Sequence, residues 1–227
     1  MKISKKIPNH VAIVMDGNGT WSIKNNLQKK EGHKKGVKTA KKIISYAVDI
    51  GIKNITLFAL SNENLSRSKL ELKNLFDIFF YSFSEESEYL ENNNIKIKFI
   101  GDLQKLPKKI KEQTLSLENK TRNNKKINLF IALNYGGKQD IKQAIKKLLK
   151  DGQKNKSFED FLYSKDLPDV DLLIRTGGYK RLSNFLLWQI SYSELYFTNI
   201  LWPNFSKKNF YNAIDWYKNI NRKFGKN

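Results

Sequence analysis

Short apolar runs alternate with longer stretches of helical period along this chain. Val11–Met15, Ile55–Leu60, Ile95–Ile100, Ile127–Leu133 and Leu172–Ile174 are short and rich in β-branched or aromatic residues, which predicts strands. A sixth strand is predicted around Glu194–Phe197. Between them, Lys34–Ile50, Lys69–Asn92, Pro107–Thr121, Lys138–Lys150 and Lys207–Phe224 carry apolar residues at helical spacing. This alternation predicts an α/β fold: a mostly parallel, six-stranded sheet flanked by helices. No internal repeat is evident. The polar segment Asp151–Ser157 is too short to separate domains, and 227 residues suit one domain spanning 1–227.

In sheets of this kind ligands sit at the carboxyl ends of the strands. Four predicted strands end there in polar segments bearing Gly or Asn: Asp16-Gly17-Asn18-Gly19, Ser61-Asn62-Glu63-Asn64, Asn134-Tyr135-Gly136-Gly137 and Arg175-Thr176-Gly177-Gly178. The first can hold a phosphate, because glycines let backbone N–H groups approach an anion, with an oxygen ligand for Mg²⁺ beside it. It is neither a P-loop nor Gly-x-Gly-x-x-Gly, so a nucleotide site does not follow. The stretch Lys69–Asn92 is apolar on more than one face, through Leu72, Leu75, Phe76, Ile78, Phe79, Phe80 and Phe83. A surface helix needs one apolar stripe. The surplus fits a helix buried on two sides, a dimer contact or the wall of an apolar tunnel.

The net charge is +20, which attracts anions in general. The excess is mostly Lys scattered among Asn and Ile, a compositional bias more than a dedicated polyanion surface. No basic groove with aromatic platforms and no reading motif points to nucleic acid. Cysteine is absent, which excludes disulfides and Cys-based zinc sites and suits a cytoplasmic location. The N-terminus shows no apolar signal core, and no run has the length of a membrane span.

Taken together, the motifs resemble those of cis-prenyltransferases. His10-Val11-Ala12-Ile13-Val14-Met15-Asp16-Gly17-Asn18-Gly19, Gly32-His33, Ser61-Asn62-Glu63-Asn64, Asn134-Tyr135-Gly136-Gly137 and Arg175-Thr176-Gly177-Gly178 carry the resemblance. So do Ser183-Asn184-Phe185-Leu186-Leu187-Trp188-Gln189, Glu194-Leu195-Tyr196-Phe197 and Leu201-Trp202-Pro203. The blocks run in register from His10 to Phe224. The resemblance implies an enzyme that condenses isopentenyl diphosphate repeatedly onto farnesyl diphosphate with cis geometry. The product is then a long polyprenyl diphosphate, the lipid carrier for cell-wall glycans. It further implies a hydrophobic tunnel, Mg²⁺, a homodimer, and a chain that touches the inner face of the membrane to release product. Scattered Lys would aid that contact by about 1 kcal/mol per residue near an anionic surface.

Residue by residue, Asp16 matches the essential acid that engages Mg²⁺ at the diphosphate. Gly17, Asn18 and Gly19 match the cradle of the allylic diphosphate, with Thr20, Trp21, Lys29 and His33 beside it. Ser61, Asn62, Glu63 and Arg67 match substrate-binding positions, and Asn64 matches one that positions substrate or assists proton removal. Arg175, Arg181 and Ser183 match the isopentenyl diphosphate site, where a planar fork grips phosphate oxygens in pairs. Glu194 matches a residue reaching the metal site across the dimer. Plainer roles stand beside these: a helix cap for Asp16, a turn for His33, solvated charges for Arg175, Arg181 and Glu194, and packing for Trp188 and Trp202.

The chain departs from the family's pattern in places. Thr20 stands where Arg is usual, Lys29 where a second Arg is common, Leu65 for Trp, Ser68 for Pro, Tyr179 for Glu and Lys180 for His. A lost charge-assisted phosphate contact costs on the order of 1.5–3 kcal/mol. The departures imply weakened allylic binding, or alternatively a noncatalytic accessory subunit of a prenyltransferase complex. Ile127 is expected near the tunnel floor.

Overall fold

The computed structural model describes residues 7–151 and 156–222, with residue 151 described by its backbone alone. Most of the polar segment 151–157 therefore lies outside the described residues. Six strands form one sheet: β1 His10–Val14, β2 Asn54–Ser61, β3 Ile95–Ile100, β4 Ile127–Tyr135, β5 Leu172–Arg175 and β6 Glu194–Phe197. Their order is β3-β4-β2-β1-β5-β6, and every neighbouring pair is parallel. The helices are α1 Asn18–Lys24, α2 Lys29–Asp49, α3 Lys69–Glu85, α4 Ser87–Asn92, α5 Lys108–Thr121, α6 Gly137–Asp151 and α7 Lys207–Lys218.

Alternation along each strand divides the core in two. Val11, Ile13, Ile55, Leu57, Leu129 and Ile131 face one side, where they meet α2, α3, α5 and α7. Ala12, Val14, Phe130, Ala132 and Leu173 face the other and pack against Phe185, Leu186 and Ile190. From β1 the chain leaves toward β2 on one side and later returns to β5 on the other. The loops after β1 and β5 therefore diverge, and a crevice opens at the carboxyl end of the sheet. Beside it the β2–β4 register shifts at Phe58–Ser61, an irregularity of the kind that re-aims side chains near sites.

Several expectations shift. The predicted helix Lys69–Asn92 breaks at Glu86 into α3 and α4, although Glu86 N still donates to Ser82 O at 3.1 Å and Leu90 N to Glu86 O at 2.9 Å. Helix α2 begins at Lys29 rather than Lys34, and α7 stops at Lys218 rather than Phe224, a residue outside those described. The two-faced apolarity of α3 has a compound reason. Leu75, Ile78, Phe79 and Phe83 wall a cavity, and the Phe80 ring faces α5, where Lys109 Nζ lies 5.9 Å from its centroid.

Candidate active site

The segment after β1 is short. Gly17 is the N-cap of α1, at φ 107°, a left-handed conformation that glycine adopts without a Cβ penalty. A Cβ there would lie 2.8 Å from Leu201 Cδ2. Asp16 is therefore not the helix cap. Its backbone is bolted in place instead: its N–H donates to Thr176 Oγ1 at 3.0 Å, and its carbonyl accepts from Thr176 Oγ1 at 2.8 Å and Trp202 N at 3.0 Å. This fixes the carboxylate at the rim, where Oδ2 accepts from Arg175 Nη2 at 2.7 Å.

Arg175 ends β5 and is 3% exposed, so it is no surface cation. Its Nη1 donates to Ser183 Oγ at 2.7 Å and to the Arg181 carbonyl, while its buried Nε has no partner. A buried guanidinium with an open donor, paired to one carboxylate, is poised to take an additional anion. The turn supplying Ser183 is unusual: Ser183, Asn184 and Leu186 all have positive φ, at 50°, 62° and 43°. Such backbone outliers gather at functional sites.

These groups line a cavity of about 600 Å³ that brings together Asp16, Asn18, His33, Ser61, Glu63, Asn64, Arg67, Arg175, Arg181 and Ser183. Asn184 lines it too and was not foreseen. Its Nδ2 donates to Glu63 Oε1 at 2.7 Å, and its carbonyl and Oδ1 accept from Gly137 N at 2.7 Å and Lys138 N at 2.8 Å. It thus ties the ends of β2 and β4 to the Arg175 turn. Its signal in the sequence was only its place after Ser183.

His33 sits in α2, not in a turn, and its imidazole pKa is lowered to about 4. Burial is the main cause, reinforced by the Arg67 cation and opposed by Glu71. Glu71 holds Arg67 Nη1 at 3.0 Å and Lys29 Nζ at 3.7 Å. Lys29 lies in a neighbouring groove that shares His33 with the rim cavity.

Six other predicted residues stand outside the cavity lining, the N-cap Gly17 among them. Thr20 is exposed on α1, and Gly19 has open space around its Cα. Trp21 is buried and donates from Nε1 to Asn204 Oδ1 at 3.0 Å. Asn62 turns its Oδ1 toward Gly136, where a Cβ would lie 2.5 Å away. Glu194 stands opposite Leu172, three positions before the pair Arg175–Phe197, and lies 3.7 Å from Arg222 Nε. Within one chain it does not reach Asp16.

A second, apolar cavity of about 150 Å³ joins the first, sharing Met15, Asn18, His33, Ala59 and Leu75. It runs down α2 from His33 past Val37 and Ala40 to Ile44, and down α3 from Leu75 past Phe79 and Phe83 to Glu86. Eleven residues of helix span roughly 16 Å. The sheet contributes Leu57, Ala59, Leu129 and Ile131. Ile127 is buried one same-face position beyond Leu129 and does not line the cavity. Trp202 is core, with Nε1 donating to the Gly36 carbonyl at 2.9 Å, whereas Trp188 is 44% exposed.

Comparison with known proteins agrees with this arrangement. The model of the Prenyltransf family, described as "Putative undecaprenyl diphosphate synthase", matches residues 14–225. The chain is 46% identical over 233 residues to a ditrans,polycis-undecaprenyl-diphosphate synthase, (2E,6E)-farnesyl-diphosphate specific, of Buchnera aphidicola, covering 99% of this chain and 94% of that protein. Among solved structures, lavandulyl diphosphate synthase from Lavandula x intermedia, in complex with dimethylallyl diphosphate, is similar at a TM-score of 0.91. It is 35% identical, with 97% of this chain and 99% of that one covered. A probable undecaprenyl diphosphate synthase from Campylobacter jejuni is similar at 0.82, also 35% identical, with 97% and 100% covered.

Proposed function

The chain belongs to the undecaprenyl diphosphate synthase family of prenyltransferases, and we propose that it condenses isopentenyl diphosphate onto farnesyl diphosphate with cis geometry, making a long polyprenyl diphosphate. One observation carries this reading: a rim cavity holding Asp16 and the Arg175 fork opens into an apolar cavity walled by α2 and α3. Such a pair of spaces suits a molecule with an anionic head and a hydrocarbon tail. The product is the carrier on which cell-wall glycans are built.

In the reaction the allylic C–O bond breaks, and the diphosphate departs with the bonding pair. The double bond of isopentenyl diphosphate attacks the allylic carbon, and a proton then leaves its C2. The catalytic task is to stabilise the departing charge. The first-turn amides of α1, at Asn18 and Gly19, have no carbonyl one turn back and donate to the allylic diphosphate. Neutral His33 adds a donor or acceptor, while Arg67 and Lys29 add charge once released from Glu71. Arg175, Arg181 and Ser183 hold the isopentenyl diphosphate. Asn64 positions the substrate near the proton that leaves.

The donor set fits Mg²⁺. Asp16 supplies one rim carboxylate, and no three His, Cys, Asp or Glu converge among the described residues. Mg²⁺ is commonly bound by one or two carboxylates together with substrate phosphates and water. When bound, it neutralises charge on the leaving diphosphate and orients it. Glu194 joins this site from a partner subunit in a homodimer. Support for the dimer comes from β6 being the last strand of the sheet among the described residues, with Leu195 on it exposed and Trp188 and Tyr192, shortly before it in the chain, exposed too.

The chain works in the cytoplasm and releases its lipid product at the inner face of the membrane. Among the described residues no helix is long and apolar enough to cross a bilayer. The accessory-subunit reading is not favoured, because the rim assembles Asp16, His33, Asn64, Arg67 and Arg175 in one cavity. The test is incorporation of labelled isopentenyl diphosphate with farnesyl diphosphate as primer, before and after chelation. Incorporation that chelation abolishes and Mg²⁺ restores supports the reading; an inactive, folded protein at saturating Mg²⁺ refutes it.

A further inference from the structure

Tyr179 follows two glycines of positive φ, Gly177 at 85° and Gly178 at 89°. Their amides are anchored beside β6: Gly177 N donates to Ile200 O and Gly178 N to Thr198 O, both at 2.9 Å. The chain is thus fixed up to the residue before Tyr179. The Tyr179 ring then lies under the Arg181 guanidinium, 4.0 Å from its Cζ, and 5.9 Å from that of Arg175. Arg181 itself is exposed, and among the described hydrogen bonds and ion pairs its guanidinium has no partner.

An exposed arginine without a partner samples many rotamers, and ordering it on binding costs entropy. Stacking on an aromatic face removes much of that freedom. It also uses only the π face of the guanidinium, so the N–H donors in its plane stay open to a bidentate anion. We propose that Tyr179 is a positioning residue that holds Arg181 face-on, its donor edge presented to the diphosphate of isopentenyl diphosphate. The inference rests on the reading of Arg181 as a ligand of that substrate. The phenol OH has no part in it; the ring alone acts.

Steady-state kinetics on the full chain test this, varying each substrate in turn. Tyr179→Ala raises KM for isopentenyl diphosphate roughly two- to fivefold, as expected for an exposed cation–π contact. It leaves kcat and the farnesyl diphosphate KM within twofold. Tyr179→Phe restores the wild-type KM. Tyr179→Ala has no further effect on KM in an Arg181→Ala background. Tyr179 is half exposed, so the fold tolerates its loss, and melting curves check this. If Tyr179→Ala behaves as wild type while Arg181→Ala raises KM, the ring has no positioning role, but Arg181 remains a ligand. A Tyr179→Phe variant as impaired as Tyr179→Ala also overturns the proposal. A silent Arg181→Ala overturns both it and the reading beneath it.

Discussion

Asp16 and Arg175 come from different strand ends, 159 residues apart, yet Oδ2 of one accepts from Nη2 of the other at 2.7 Å. The acid and the phosphate fork of the proposed site are therefore each other's partner before substrate arrives. A buried arginine left unpaired is costly, so the carboxylate offsets that buried charge and orients the fork. Arg175→Lys keeps the charge but loses the planar fork and its bonds to Ser183 and the Arg181 carbonyl. We expect kcat/KM for isopentenyl diphosphate to fall at least tenfold, with the melting temperature lowered. Kinetics equal to wild type would show that the fork has no role.

Both histidines of the chain are neutral in the fold at pH 7. His33 titrates at about 4, mainly through burial, and His10 is also lowered by burial between Thr56 and the Pro168 carbonyl. In the unfolded chain each titrates near 6.5. Below that value the unfolded state binds protons that the native state refuses. Stability from neutral burial is thus fully present above pH 6.5 and is lost as pH falls toward about 4. Urea titrations from pH 7.5 to 4.5 should show a falling midpoint, and His33→Gln should flatten part of the slope. An unchanged slope would contradict the assignment to His33.

Product length should answer to the deep end of the apolar cavity. Leu129 lines it, and Ile127 lies one same-face step beyond. Leu129→Ala is expected to lengthen the product distribution, and Ile127→Ala to do so less. Chromatography of the dephosphorylated products reads this. A distribution unmoved by Leu129→Ala would place the floor elsewhere.

Thr20 is exposed on the first turn of α1, beside the amides assigned to the allylic diphosphate. Thr20→Arg adds a charged fork there. A charge-assisted phosphate bond is worth about 1.5–3 kcal/mol, so KM for farnesyl diphosphate should drop roughly tenfold or more. No change would count against the account of a weakened allylic diphosphate site.

Much of this arrangement was legible in the residues. Strand ends such as Asp16 and Arg175 follow short, continuous apolar runs, and parallel strands bring such ends to one rim whatever their separation in sequence. Other parts depended on tertiary contact. Helix α1 opens on Asn18-Gly19-Thr20 and has poor intrinsic propensity. It forms against α2, where Gly32 lies so near that a Cβ would meet the Asn18 carbonyl at 2.2 Å. That same glycine, lying between the observed start at Lys29 and the predicted start at Lys34, masks the true start of α2 in a propensity reading. The role of Asn184 rests on a run of positive φ that no side-chain pattern announces. Ile127 and Leu129 share a face, and parity alone does not tell how deep α3 and α5 leave space between themselves and the sheet.

The most direct test compares wild type with Asp16→Ala for incorporation of labelled isopentenyl diphosphate into lipid, with farnesyl diphosphate and Mg²⁺. The account predicts a long polyprenyl product from wild type and its loss, by at least a hundredfold in rate on the order of a removed charge-stabilising group, in a variant that still folds. Equal incorporation by the two proteins would contradict it.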